Sequence, residues 1–389
     1  MTNIDQSISG SSTRTRIPPF AFVLTMCIGV IGSNSLALGP IAPEVARSLG
    51  TEVPAVMTAS AAFGLGTAVS AVFLGRLIDR YGPRRMLTVA LFALAAGLAG
   101  SAVAASLSLL VAAQLVVGLA AGIALPSIYT LASVIAPKGR ESQTIGLVLT
   151  GWTLSMVAGV PLSATIAEFA GWRTVYMIVS AATLVACAAV RIAPAREASA
   201  GTATSPLAAL GVRGVAPLLV ACAAFMAAFY GVYAFIGEHL HATLGLPVRA
   251  NGLIAVSYGV GFGAAAFLDR LIDRFGAGRL LPLIFLVIAG VYVAMATFSG
   301  SYAAILAVMF FWGLANHFGL NVLIMRLTAL DPGRRGAIMG LNSGTTYLAL
   351  FAGTIGFGAI YGSGGFYVLP LAAAGLMLLA ALAAAIAPR

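Results

Sequence analysis

Apolar runs long enough to cross a lipid bilayer follow one another along nearly the whole chain, with short charged loops between them. About 20 apolar residues in a helix span the ~30 Å hydrocarbon core of a membrane. Composition points the same way. Only 8% of the residues are charged and 60% are apolar, whereas a soluble domain carries about 25% charged residues to clothe its surface. The sequence therefore predicts an all-α membrane protein with twelve transmembrane helices. They are expected near 18–42, 54–74, 86–104, 107–135, 143–169, 174–192, 215–238, 249–268, 280–298, 302–330, 335–361 and 365–387.

The chain repeats itself. Arg76-Leu77-Ile78-Asp79-Arg80-Tyr81-Gly82 returns 194 residues later as Arg270-Leu271-Ile272-Asp273-Arg274-Phe275-Gly276. Pro137 and Arg140 return as Pro332 and Arg335 at an offset of 195. Copies in the same order with an even number of spans make two six-helix halves, parallel repeats about the membrane normal. The expected layout is a disordered cytoplasmic tail (1–16), an N-terminal half (17–192), a Ser/Ala/Gly/Thr/Pro-rich cytoplasmic linker (193–213) and a C-terminal half (214–389). Of the 21 Lys and Arg, only Arg47, Arg173 and Arg249 lie opposite the Arg76–Arg85 loop. The positive-inside rule then places both termini in the cytoplasm.

Other classes find little support. The net charge of +10 sits in loops and forms no basic stripe with interleaved aromatics, so no nucleic-acid partner is expected. Cys27, Cys187 and Cys222 are far apart within apolar runs, without ligand spacing. No G-x-x-x-x-G-K-S/T loop is present to use ATP. No constellation for catalysis is present either, so a membrane-embedded enzyme is the remote alternative. The run from Ile17 to Pro43 outlasts a signal peptide's apolar core and reads as the first span.

Gly75, Leu77, Asp79, Arg80, Gly82 and Arg84, with Pro83 at a usually basic position, resemble the loop signature of the major facilitator superfamily. The resemblance covers essentially the whole chain and implies a transporter whose signature loop gates one face. Gly75, Asp79, Arg80, Gly82 and Arg84, with Asp273 and Arg274 in the second copy, are the gating candidates. The second copy has Asp269 at the place of Gly75, so Asp79→Asn is expected to damage transport more than Asp273→Asn. Gly151-Trp152 through Gly159-Val160-Pro161, followed by Gly171-Trp172-Arg173, looks like the antiporter motif of the drug:proton antiporter family, especially its arabinose-efflux-like permeases. Gly151, Gly159 and Pro161 are its defining positions here, and Ser163-Ala164 replaces its usual final Gly. The resemblance implies an exporter driven by proton antiport. Two departures bear on that coupling. Gln114 stands where the family carries an Arg in the fourth span, and the first span offers Ser33, Asn34 and Ser35 rather than a carboxylate.

The residues themselves supply the remaining candidates. His317 lies near the middle of the tenth span, beside Asn316 and one turn from Asn321. Ionisable groups at membrane depth are costly and mark pathways, and histidine titrates near neutrality. The alternative is a neutral His bonded to a neighbouring helix. Met226, Tyr230 and Tyr233 form a stripe on the seventh span, which is either packing or a cavity wall. Asn34, Gln114 and Asn342 complete the cavity set, with Thr345 and Thr346 weaker. Glu238 is a second proton-coupling candidate. Glu238-His239-Leu240-His241 lacks a fourth ligand, so no metal is expected and no cofactor is implied. The reading is a monomeric inner-membrane transporter exporting a small, uncharged or amphiphilic molecule by alternating access. Uptake by symport or uniport on the same fold is the alternative.

Overall fold

The computed structural model describes residues 17–137, 140–193, 206–265 and 277–387. The expected tail (1–16), most of the linker, and Asp273 and Arg274 lie outside the described residues.

Within them the chain is helical. We label the spans α1 (Phe20–Leu49), α2 (Val53–Phe73), α3 (Pro83–Ala102) and α4 (Leu107–Ile135). Next, α5 joins Glu141–Leu154 to Val160–Ala170 through a π-helical turn at Ser155–Gly159. They are followed by α6 (Trp172–Ile192), α7 (Val215–Glu238), α8 (Ala250–Ala265), α9 (Ala277–Thr297) and α10 (Tyr302–Leu330). The last two, α11 and α12, are the arms of Arg335–Ile386, broken at Gly365 with φ 66° and ψ −170°. A seven-residue helix, Gly75–Tyr81, occupies the signature loop. We call the end of the bundle with this loop the basic face, and the other end the far face.

Local chemistry sets the helix ends, and it repeats. Ser106 accepts from the Leu109 N–H to start α4, and Ser301 accepts from Ala304 N–H to start α10, the same position 195 residues on. Such caps satisfy helix donors that have no partner within the helix. The tight reversals from α5 to α6 and from α11 to α12 fall on Gly171 (φ 81°) and Gly365, where a side chain would be strained.

The first span departs from the expectation. It was to end at Pro43 but runs on to Leu49, with Pro40 and Pro43 inside it. A helix-interior proline leaves the carbonyl four residues earlier without its donor. For Pro43 that carbonyl belongs to Gly39, which faces Gly237 of α7. The interruption is thus placed where another helix covers it, so the helix need not stop.

The two copies pack alike. A Cβ on Gly118 (α4) would run into the Phe63 carbonyl (α2), and one on Gly313 (α10) into the Tyr258 carbonyl (α8). Gly66 meets Leu115 in the first copy as Gly261 meets Phe310 in the second. Each pair stands 195 residues from its counterpart, so both halves are built round one reciprocal small-residue crossing. Between the halves, Gly64 of α2 lies against Tyr347 and Phe351 of α11, while Gly259 of α8 lies against Met156 and Val157 of α5. At the centre, Gly39 of α1 meets Tyr233 and Ala234 of α7. These are the contacts of two parallel repeats about a common axis.

Candidate functional site

On the first half, Asn34 and Gln114 do not stand apart. Asn34 Nδ2 donates to Gln114 Oε1 at 3.2 Å, and Gln114 Nε2 donates to Asn34 Oδ1 at 3.4 Å and to Ser101 Oγ at 3.0 Å. All three are buried. The position that carries an Arg in the resembled antiporters therefore holds a neutral knot tying α1 to α3 and α4. Buried amides are expensive when unpaired, and here each satisfies the other.

The second half presents an aromatic wall. Phe229 on α7 touches its neighbour Tyr230 (5.0 Å between ring centres), Tyr233 (5.6 Å), Tyr258 of α8 (5.6 Å) and Trp312 of α10 (5.3 Å). Tyr258 meets Trp312 edge-on at 5.1 Å. Asn316 Nδ2 donates to the Tyr258 hydroxyl at 3.0 Å. Its Oδ1 is buried and, among the described residues, no donor reaches it. The same holds for Asn342 Oδ1 on α11. His317 is half-buried, its ring edge-on to Phe262 at 5.0 Å. Asn321 is half-buried on the same helix.

The two proton-coupling candidates are not brought together. His317 is 15 residues into α10 from the far face, about 22 Å along the helix. Glu238 sits at the far end of α7, on a cleft of about 470 Å³ shared with Arg47, Glu52, His241 and Tyr361. The neighbouring histidines are engaged by backbone: His239 Nε2 lies 2.8 Å from Ser299 O and His241 Nδ1 3.0 Å from Leu246 O.

The antiporter-motif positions occupy one seam. Gly151 and Gly159 put α5 against Thr25 and Ser33 of α1, and Pro161 packs against Gly252 of α8. The π-helical turn falls between them. Such turns insert a residue and recur at functional sites. On its other flank α5 reaches across the halves at the far face, where Glu168 accepts from Arg249 N–H and Nη1, each at 2.8 Å. Beside this pair, buried Asn251 donates from Nδ2 to Pro40 O at 2.7 Å. These contacts tie the two halves together at the far face.

In the signature loop, Gly82 has φ 82° and turns the chain into α3. The side chain of Asp79 lies outside what is described. Arg80 is exposed, its guanidinium 5.2 Å from the Tyr81 ring centre. Arg84 turns inward, donating to Val190 O (3.1 Å), Arg191 O (3.1 Å) and Ala193 O (2.5 Å) at the end of α6. A guanidinium there suits the negative end of the helix dipole. Arg326, which sequence reasoning passed over, does the same for α12 through Ala384 O (2.8 Å) and Ala387 O (3.1 Å).

The sequence profile of the Major Facilitator Superfamily matches residues 22–354. The chain belongs to the major facilitator superfamily. Superfamily relatives include the MFS-type transporter YwfA of Bacillus subtilis (strain 168), 25% identical over 92% of this chain and 89% of that protein. The chloramphenicol resistance protein of Streptomyces lividans is 28% identical over 93% of this chain and 94% of that protein. Among solved structures, a bacterial homologue of the human lysosomal transporter Spinster, inward-facing and occupied, superposes with a TM-score of 0.75 at 14% identity. That match covers 95% of this chain and 96% of the other. A variant of the nucleoside transporter NupG gives 0.77 at 13% identity, covering 95% of this chain and 100% of the other. These superpositions establish a shared fold. The superfamily is one of membrane transporters, so the chain is a multi-pass transport protein for small molecules and not an enzyme.

Sequence reasoning missed Phe229, Tyr258, Phe262 and Trp312 because single aromatics in an apolar span carry no signal. Comparing the two copies position by position would have exposed them. Their counterparts at an offset of 195 are Asn34, Phe63, Thr67 and Val117, so three of the four stand where the first copy has no aromatic ring.

Proposed function

We propose that this protein exports a small organic molecule from the cytoplasm by alternating access, in exchange for protons. The carrying observation is the placement of Gly151, Gly159 and Pro161. They seat α5 against α1 of its own half and α8 of the other, with a π-helical turn between. A helix shared in this way can alter the packing of both halves when it shifts. The similarity to a chloramphenicol resistance protein favours outward movement, and the distribution of Lys and Arg favours a cytoplasmic basic face in an inner membrane. The gating, cavity and coupling roles given above to the candidate residues belong to this proposal, with His317 as the titratable group at depth.

The test is proteoliposomes loaded with a pH-sensitive dye. On adding substrate outside, alkalinisation of the lumen that receives it supports antiport. Acidification indicates symport, and substrate entry without a pH change indicates uniport. Symport or uniport is favoured by one observation, the closing of Gln114 into a neutral knot with Asn34.

A further inference from the structure

The repeat makes each half a control for the other. At the reciprocal crossing, 195 residues carry Thr67 to Phe262, Ala121 to Asn316 and Gly122 to His317. In the first copy this point is shut. A Cβ on Gly122 would lie 2.9 Å from both Ala71 N and Ser70 Cβ, leaving no room for a side chain. The second copy places an imidazole there, half-exposed and against a phenyl ring. The α8–α10 crossing therefore admits side chains where the α2–α4 crossing excludes them. Likewise Asn34, locked to Gln114, corresponds to Phe229, the hub of the aromatic wall.

Charge and hydrogen bonding then restrict what that wall can hold. No Asp, Glu, Lys or Arg stands in the middle of any span, so a cationic cargo would shed its water without a counter-charge, at heavy cost. The amides of the first half satisfy each other. Asn316, 2% exposed, retains a free acceptor among aromatic rings, and a buried unpaired acceptor costs about 1–3 kcal/mol. A ligand donor is what would satisfy it.

We propose that the C-terminal half supplies the decisive recognition of the cargo, a neutral molecule with an aromatic ring seated on Tyr230 and Phe262 and a hydroxyl donated to Asn316. This rests on the transporter reading above but not on the direction of transport. The test is equilibrium binding of radiolabelled chloramphenicol to the full chain in nanodiscs. Chloramphenicol is a neutral aromatic bearing hydroxyl donors, and it is compared with its diacetyl ester, in which the hydroxyls are capped. Wild type is expected to prefer chloramphenicol by roughly tenfold or more, the effect of one satisfied buried acceptor. Asn316→Ala is expected to abolish that preference by weakening chloramphenicol and leaving the ester unchanged.

A preference that survives Asn316→Ala comes from steric fit and overturns the proposal. Equal binding of both ligands by wild type, no binding of either, or tighter binding of the cation ethidium overturns it too. The wild-type comparison needs no variant, so a misfolded Asn316→Ala leaves the proposal exposed to refutation. Export failing while the binding pattern holds refutes only the direction of transport.

Discussion

Replacing Asn251 with Asp should unlatch the far face more than breaking the ion pair beside it. The Asn251 amide donates to Pro40 O across 2.7 Å in a buried setting. Asn251→Asp keeps the shape but sets two oxygens against each other. The lost bond is worth about 1 kcal/mol, and a buried oxygen left without a donor costs about 1–3 kcal/mol more. A carboxylate near the N-terminus of α8 recovers about 0.3–1 kcal/mol from the helix dipole. The balance is at least about 2 kcal/mol against the closed state, since burying the charge adds its own cost, or about thirtyfold and more, so a closed-to-open ratio of about 100:1 becomes about 3:1 or lower. The Glu168–Arg249 pair looks stronger but its side chains are 21% and 56% exposed. Exposed pairs contribute about 0.2–1 kcal/mol, so Arg249→Gln should shift the ratio by at most about fivefold. Spin labels at exposed Val103 and Thr243, one on each half, would report the separation by double electron–electron resonance. Cys27, Cys187 and Cys222 are buried and leave the labelling to the introduced sites. Acid pH should shrink the Asn251→Asp effect, because a protonated carboxyl regains a donor. A distance distribution unchanged in Asn251→Asp, or shifted more in Arg249→Gln, would refute this reasoning.

Other substitutions test the packing. A Cβ at Gly66 would lie 2.6 Å from Leu115 O, whereas one at Gly146 meets nothing within 4 Å. Gly66→Ala should therefore cost about 1–3 kcal/mol through overpacking, while Gly146→Ala should be neutral or slightly stabilising, both read as detergent melting temperatures. Arg326→Ala removes two charge-assisted bonds to α12 and should lower the melting temperature by the equivalent of about 2 kcal/mol or more. Arg84→Ala should free the end of α6, seen as faster hydrogen exchange at residues 190–193; unchanged exchange would deny Arg84 its capping role.

Span number and the internal repeat were legible because hydropathy and repetition are properties of whole segments. What lay hidden depends on partners distant in sequence. Asn34 and Gln114 were read as two cavity-lining residues, and only the approach of α1 to α4 shows that they occupy each other. Arg84 belonged to a recognisable motif, yet its partners are carbonyls, which every residue possesses and no sequence pattern marks. Pro43 looked like a helix end because a proline's cost is local, while the helix that covers the exposed carbonyl is some 200 residues away. The aromatic wall was written in the difference between the copies, and similarity is what a search for repeats rewards.

The Arg326 contact bears on how the protein is made. Its acceptors, Ala384 and Ala387, leave the ribosome some 60 residues after the guanidinium has entered the membrane with α10. Until α12 arrives, those two carbonyls cannot receive it, and the guanidinium, near the end of α10, reaches toward the membrane surface along its own stem. The lock between the tenth and twelfth helices is therefore the last of these contacts to form as the chain is made, and it ties the C-terminus of the protein back to a helix inserted before it.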